Sequence, residues 1–255
     1  VKFRGTEIVS DAWRLWRADW EALTAIGGMF VFLPQLATAL LIPAIPDTSK
    51  LAGVDPDNPA FEAWRVAMEA WVQSYAIWWL LAFALAIFGQ FALVAFYMAS
   101  SRASVAEALA AALRLLPRFV LASIIWGLPL AFLSLIFVLV PFLLLPVLAI
   151  LMGRMLLVGP VILSTRTTRA VEAVGRSFAL TKGNTLALAG LVLTIIIAQL
   201  LVGAPLLAID TWLMTNSPNP IARAIVDVGI AGEQMLAGIA MALLQVVVYR
   251  KLSSS

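Results

Sequence analysis

The chain has 255 residues, 63% hydrophobic and 12% charged, with a mean hydropathy of +1.00; soluble domains carry about a quarter charged residues, so this composition belongs to a bilayer. It has no cysteine and no histidine, which excludes disulfides, thiol chemistry, histidine-held zinc or haem and a histidine general base, and it leaves no cofactor to expect. The formal charge of +3 is sorted along the chain by membrane side, so a nucleic-acid partner is not expected.

At 27.5 kDa the chain holds about six spans of about 20 apolar residues each, with no room for a separate soluble domain. The opening VKFRGTEIVSDAWRLWRADW mixes charges and aromatics, unlike a cleavable signal peptide. Within it Ile8, Ala12, Trp13, Trp16 and Trp20 share one helical face while Glu7, Asp11, Arg14 and Arg17 fall elsewhere, the pattern of an amphipathic helix. The first span follows over residues 22–45, closed by Pro43 and Pro46, and the second over 74–99. Between them, Asn58 as N-cap, Pro59 at the first helical position and Phe61, Trp64, Met68 and Trp71 at helical spacing predict a helix lying on the outer surface.

A second amphipathic stretch opens on a Ser104/Glu107 capping box and sets Val105, Leu109, Ala112, Leu113 and Leu116 on its apolar face. Residues 119–164 are apolar for too long to be one helix, which predicts a hairpin turning near residues 138–141, with Pro129, Pro141, Pro146 and Pro160 all offering breaks. A third amphipathic stretch has Val171, Val174 and Phe178 against Arg169, Glu172 and Arg176, with Gly183 placed for a left-handed cap. The fifth span covers 185–209, the polar stretch DTWLMTNSPNPIAR follows, and the sixth span begins between residues 224 and 230 and ends at Val248.

Orientation follows from the excess of Lys and Arg in cytoplasmic segments. With both termini cytoplasmic, inner segments hold Lys2, Arg4, Arg14, Arg17, Arg102, Arg114, Arg118, Arg154, Arg166, Arg169, Arg176, Lys182, Arg250 and Lys251, and outer ones Lys50, Arg65 and Arg223, 14 against 3. Leaving out Arg154, which falls within a span, gives 13 against 3.

The fold class expected is thus an all-α integral membrane protein with six transmembrane helices and cytoplasmic amphipathic helices. It forms a single membrane domain over 1–255. Three pseudo-repeats of interfacial helix plus hairpin divide it at about 5–100, 101–165 and 166–252. Such reuse builds a bundle economically, and its units share one orientation, unlike the inverted pairs of many transporters.

The segment RMLLVGPVILSTRTTRAVEAVGRSFALTKGN, from Arg154 to Asn184, resembles the signature of the glycerophosphodiester-phosphodiesterase membrane domain and of related YciC-like bacterial inner-membrane families. In these an arginine on the fourth span precedes a helix closing on a stretch like Ser177, Phe178, Ala179, Leu180, Thr181, Lys182 and Gly183. The opening IVSDAWRLWRADWEAL and the closing VVVYRKLSS resemble the ends of the same families. The resemblance implies a membrane module in the bacterial inner membrane. It does not imply phosphodiesterase activity, which in the fused enzymes belongs to a soluble barrel with acidic metal ligands and histidines.

Polar groups within spans are costly and so draw attention first. If the fourth span begins near Phe142, Arg154 lies about 12 residues, or roughly 18 Å, below the outer end, near mid-membrane; with an earlier turn it snorkels to the inner headgroups. Glu233, the one acidic residue expected inside a span, lies about 15 residues, or roughly 22 Å, from the inner end, so that pairing with Arg154 requires staggered or tilted helices. Asp227 and Arg223 are spaced for a local pair on a solvated turn. Gln35, Gln90, Gln199 and Gln245 fall on spans one, two, five and six, as interhelical hydrogen bonders, and Gly229, Gly232, Gly238 and Ala242 suggest a closely packed face. Trp13, Trp16 and Trp20 on the inner side and Trp64, Trp71, Trp78, Trp79 and Trp212 on the outer side fit aromatic belts; Trp126, low in the third span, fits neither.

Two function classes follow. One is a non-enzymatic lipid-interacting scaffold or accessory subunit of a larger membrane complex. Its headgroup contacts would be Arg14, Arg17, Arg114, Arg118, Arg169, Arg176 and Lys182, and its partners anionic lipids on the cytoplasmic face and a membrane protein. The other is a small-molecule or lipid transporter with a polar site at Arg154, Glu233 and Gln90. An intramembrane enzyme has the least acid-base equipment to support it.

Overall fold

The protein is described by a computed structural model, which covers residues 5–46, 55, 58–98, 104–136, 141–165, 169–216 and 219–254. Side chains at 126, 129 and 130–145 are not described. Lys2, Arg4, Lys50, Arg102, Arg166 and the side chain of Trp126 therefore lie outside the described residues.

The described chain is helical throughout, with no strand. Helix α1 spans Gly5–Ala18 and α2 Trp20–Gly27; a π-helical turn at Gly28–Phe32 leads into α3, Leu33–Leu41. The remaining helices are α4 (Pro59–Met98), α5 (Val105–Ile136), α6 (Pro141–Met155), α7 (Val158–Thr165), α8 (Ala170–Thr181), α9 (Thr185–Asn216) and α10 (Pro220–Ser253). Six helical stretches are long and apolar enough to cross a membrane: Trp20–Leu41, Pro59–Met98, Val105–Ile125, Pro146–Thr165, Thr185–Asn216 and Pro220–Ser253. Their outer faces carry large apolar side chains, such as Leu186 at 79% and Leu41 at 76% exposure, far more than a soluble surface tolerates. This is the architecture of a multi-pass membrane protein.

Several features follow directly from local sequence. Asn58 accepts from Ala60 N–H at 2.9 Å and caps α4, and Ser104 and Glu107 form their capping box, with Ser104 N–H donating to Glu107 at 2.8 Å. Pro34 cannot donate to the carbonyl four residues back, and the helix widens just before it, where Leu33 N–H reaches Gly28 O. The widened turn needs a flat partner, which Gly89 of α4 provides: a Cβ there would stand 2.6 Å from that of Phe30. Ahead of Pro43 the chain turns extended at Ile42 and ends α3.

Three expectations are corrected. The stretch after Asn58 does not form a separate surface helix; α4 is one helix of 40 residues, because no glycine or proline interrupts residues 60–88. Trp64 and Trp71 instead donate to the carbonyls of Pro46 and Pro43, at 3.3 and 2.9 Å. The second amphipathic stretch likewise runs straight into α5, through Pro117. The polar stretch after residue 209 is helical as far as Asn216, and α10 already begins at Pro220, capped by Asn219.

The expected faces are rotated in part: Ala12 and Trp16 of α1, Val105, Leu109 and Leu116 of α5, and Val174 and Phe178 of α8 pack against the core, partly buried. On α8 the buried line is Ala170, Ala173, Ser177 and Thr181, while Val171 is 67% exposed. On α5 it is Ala108, Ala112 and Leu115, with Leu113 exposed, and on α1 Ile8 is buried but Trp13 faces outward. Small residues let helices approach closely, and in a membrane the large apolar ones can face lipid. The centre holds Leu23, Ile26, Phe91, Leu157, Ile239 and Leu243, all fully buried, with Phe91 stacked on Phe119 at 4.3 Å between centroids.

One end of the bundle is tied together by the last turn of α10. Arg250 donates to Tyr97 O at 2.7 Å, Tyr249 donates to Ser164 Oγ at 2.7 Å, and Lys251 lies 3.3 and 3.2 Å from the carboxylates of Glu7 and Asp11. Helix α1 and the C-terminal ends of α4, α7 and α10 therefore meet there.

Candidate functional site

Arg154 lies where the fourth span breaks. Helix α6 ends one residue later, α7 resumes at Val158, and α8 folds back alongside them so that Ser177 Oγ donates to Arg154 O at 2.6 Å. That hydroxyl satisfies a carbonyl which the helix end leaves free. The guanidinium reaches α9, donating to Thr185 Oγ1 at 3.2 Å and to Phe178 O at 3.4 Å, and its Cζ stands 4.8 Å from the Phe178 ring centroid. Its Nε is buried without a hydrogen-bond partner among the described residues. Gly153 presses directly on α9, where a Cβ would come within 3.0 Å of Ala189 N and 3.2 Å of Leu188 C.

The rest of the motif supports this joint. Thr181 donates to Ser177 O at 2.8 Å, Thr185 to Thr181 O at 3.3 Å, and Gly183 takes φ of 88°, the left-handed conformation that ends α8 and lets α9 begin two residues later. Ser177, Thr181, Gly183 and Thr185 thus form a helix stop and restart clasped around the Gly153–Arg154 backbone. Arg154 stands level with the first residue of α9, not at the middle of that span.

Glu233 is elsewhere. Its carboxylate faces Gly203 of α9, where a Cβ would lie 3.8 Å from Oε2. Gly203 is 18 residues beyond Thr185, or about 27 Å along the helix, so Arg154 and Glu233 do not pair. Gln90 belongs to a third location, its amide pressed against Gly238 of α10. The polar site expected from these three residues is not assembled. Nor do Gln35, Gln90, Gln199 and Gln245 make interhelical hydrogen bonds among the described residues; Gln90 and Gln245 fill space against Gly238 and Gly159.

The opposite end of the bundle holds a polar region that sequence spacing did not reveal. Arg223 pairs with Asp210 of α9, Nε to Oδ1 3.3 Å, rather than with Asp227 one turn away on its own helix. Asp227 is only 6% exposed. It lies between two clefts, one of about 460 Å³ edged by Asn219 and Arg223 and one of about 200 Å³ walled by Gln35, Trp71, Trp79 and Gln234. An apolar groove of about 620 Å³ between α3 and α4 adjoins the second, sharing Thr38 and Ile42.

Compared with known proteins, the chain matches no family model, no curated protein and no solved structure.

The seven basic residues expected to meet lipid headgroups, Arg14, Arg17, Arg114, Arg118, Arg169, Arg176 and Lys182, are all exposed. Arg14 pairs with Asp11 at 2.7 Å within α1 and Arg17 covers the Trp13 ring at 5.1 Å. Among the described residues, Arg14, Arg17, Arg114, Arg118, Arg169, Arg176, Lys182, Arg250 and Lys251 lie toward the end tied by α10, against Arg65 and Arg223 at the other.

Proposed function

We propose that this chain is a non-enzymatic protein of the bacterial inner membrane, a lipid-interacting scaffold or accessory subunit, whose basic end faces the cytoplasm and binds anionic headgroups. The observation that carries this reading is the juxtaposition, at that end, of exposed cations with exposed large apolar side chains: Arg14 and Arg17 beside Trp13 and Trp20, Arg114 beside Leu113, Arg169 and Arg176 near Val171. Aromatic and aliphatic groups enter the acyl boundary while basic groups reach the headgroup layer, each cation contributing about 1 kcal/mol near an anionic surface. Leaving aside Arg154, the 9 to 2 bias of described cations between the ends, counted from the residues named above, supports a cytoplasmic basic end. The three units of amphipathic segment plus hairpin are part of the same reading, each bringing one basic segment to that surface. Kinship with YciC-like membrane modules remains a proposal resting on the Arg154–Asn184 segment.

The transporter reading draws no support from Arg154 and Glu233, whose contacts on α9 lie about 27 Å apart. The test is native mass spectrometry of the full chain in detergent with equal phosphatidylglycerol and phosphatidylcholine. Preferential retention of phosphatidylglycerol, reduced about fivefold for each of Arg14→Gln, Arg114→Gln and Arg176→Gln, is expected. Equal retention of both lipids by the native chain sinks the proposal.

A further inference from the structure

We propose that the cleft around Asp227, at the end of the bundle opposite the basic one, binds an ammonium group. Three observations converge there. The first is charge. Among the described residues Asp210 and Asp227 face a single cation, Arg223, which is engaged by Asp210, and Asp227 makes no hydrogen bond or ion pair there although it is more than nine-tenths buried. A carboxylate withdrawn from water is costly unless it meets a positive group, and both clefts that it borders are open to one.

The second is the wall chemistry. Trp71 and Trp79 stand two helical turns apart on α4 and line the 200 Å³ cleft with Gln35 and Gln234. The Trp71 indole is fixed by its hydrogen bond to Pro43 O at 2.9 Å. Indole faces attract ammonium groups, and the amides offer acceptors for N–H donors. An anion finds no comparable fit beside an unpaired carboxylate. The third is the neighbouring groove, lined by Met29, Leu33, Leu41, Trp78 and Leu81, which gives an acyl chain a place to lie when the ammonium belongs to a lipid headgroup. The ligand chemistry is the same for a free amine and for an aminophospholipid, and the site is independent of the basic end.

The experiment uses the full chain in phosphatidylglycerol nanodiscs, which contain no amine, titrated calorimetrically with ethanolamine. In parallel, nanodiscs containing phosphatidylethanolamine are dissolved gently and the lipid retained per chain is counted. Binding of ethanolamine in the first arm identifies a small amine as sufficient; selective retention of phosphatidylethanolamine in the second alone identifies the lipid headgroup. In either case Asp227→Asn is expected to weaken binding about tenfold or more and Trp71→Leu about two- to fivefold, with melting curves showing that each variant is folded. Should Asp227→Asn fail to fold, Trp71→Leu and Asp227→Glu carry the comparison, the latter retaining binding. No saturable amine binding in either arm, or binding unchanged in Asp227→Asn and in Trp71→Leu, overturns the proposal.

Discussion

Replacing Arg154 separates a structural clasp from a ligand-holding charge, because the two roles predict opposite results for two substitutions. The hydrogen bonds of the guanidinium to Thr185 and Phe178 are long, 3.2 and 3.4 Å, and polar contacts between membrane helices average about 0.6 kcal/mol. Its contact with the Phe178 ring adds about 0.5–2 kcal/mol. Against these stands the buried Nε without an acceptor among the described residues, a penalty of about 1–3 kcal/mol. Arg154→Met keeps an unbranched stem in the same space and removes the orphaned donor, so gain and loss nearly cancel. Arg154→Ala also removes the stem and leaves a void beneath α8, costing about 2–5 kcal/mol more. Unfolding by sodium dodecyl sulfate, followed by tryptophan fluorescence, measures both. Near-native stability of the Met variant with a clear loss in the Ala variant is expected. Equal, large losses in both would mean that the charge itself is indispensable, and the clasp argument would be wrong.

Two glycine contacts give a contrasting pair. Gly153→Ala would push a methyl group against the Ala189 and Leu188 backbone, which cannot swing aside, so overpacking of about 1–3 kcal/mol outweighs the helix gain of up to about 1 kcal/mol; a lowered unfolding midpoint is expected. Gly238→Ala instead meets the mobile end of Gln90, so the same assay should find it near neutral, and Gly238→Ala combined with Gln90→Ala should be no less stable than Gln90→Ala alone.

The spans were legible because length and hydropathy are one-dimensional properties, and the caps at Asn58, Ser104 and Gly183 were legible because each is a local backbone demand met by one residue type. The break between α1 and α2 was not, since Asp19 makes it with neither glycine nor proline, at φ of −126° and ψ of 27°. Continuity was equally hidden where an amphipathic pattern gives way to a fully apolar one: Pro117, at that change, removes only one N–H from α5, and the helix passes through it. The Arg223–Asp227 expectation failed for a related reason. Asp210 belongs to a stretch that reads as polar and non-spanning, but α9 continues to Asn216 and carries that carboxylate across to Arg223, leaving Asp227 beside Arg223 without an ion pair to it among the described residues.

The rotated faces have a common cause that bears on how membrane helices are read. In water, Val171 would be drawn to the buried side of α8 with Val174 and Phe178, which do pack against the core, because apolar area removed from solvent dominates. Next to lipid that gain vanishes, since a chain of methylenes is as good a neighbour for Val171 as a protein core. What remains is the closeness of backbone approach and the need of polar groups for partners, and both favour Ala170, Ala173, Ser177 and Thr181. Ser177 shows the consequence: on a soluble amphipathic helix it would belong to the wet face, whereas here it is fully buried because Arg154 O needs a donor 2.6 Å away. The motif from Arg154 to Asn184 therefore makes physical sense as a joint, with small and hydroxyl-bearing residues set where two helices must touch, and the basic residues between them, Arg169, Arg176 and Lys182, are left exposed to act on whatever lies outside the bundle.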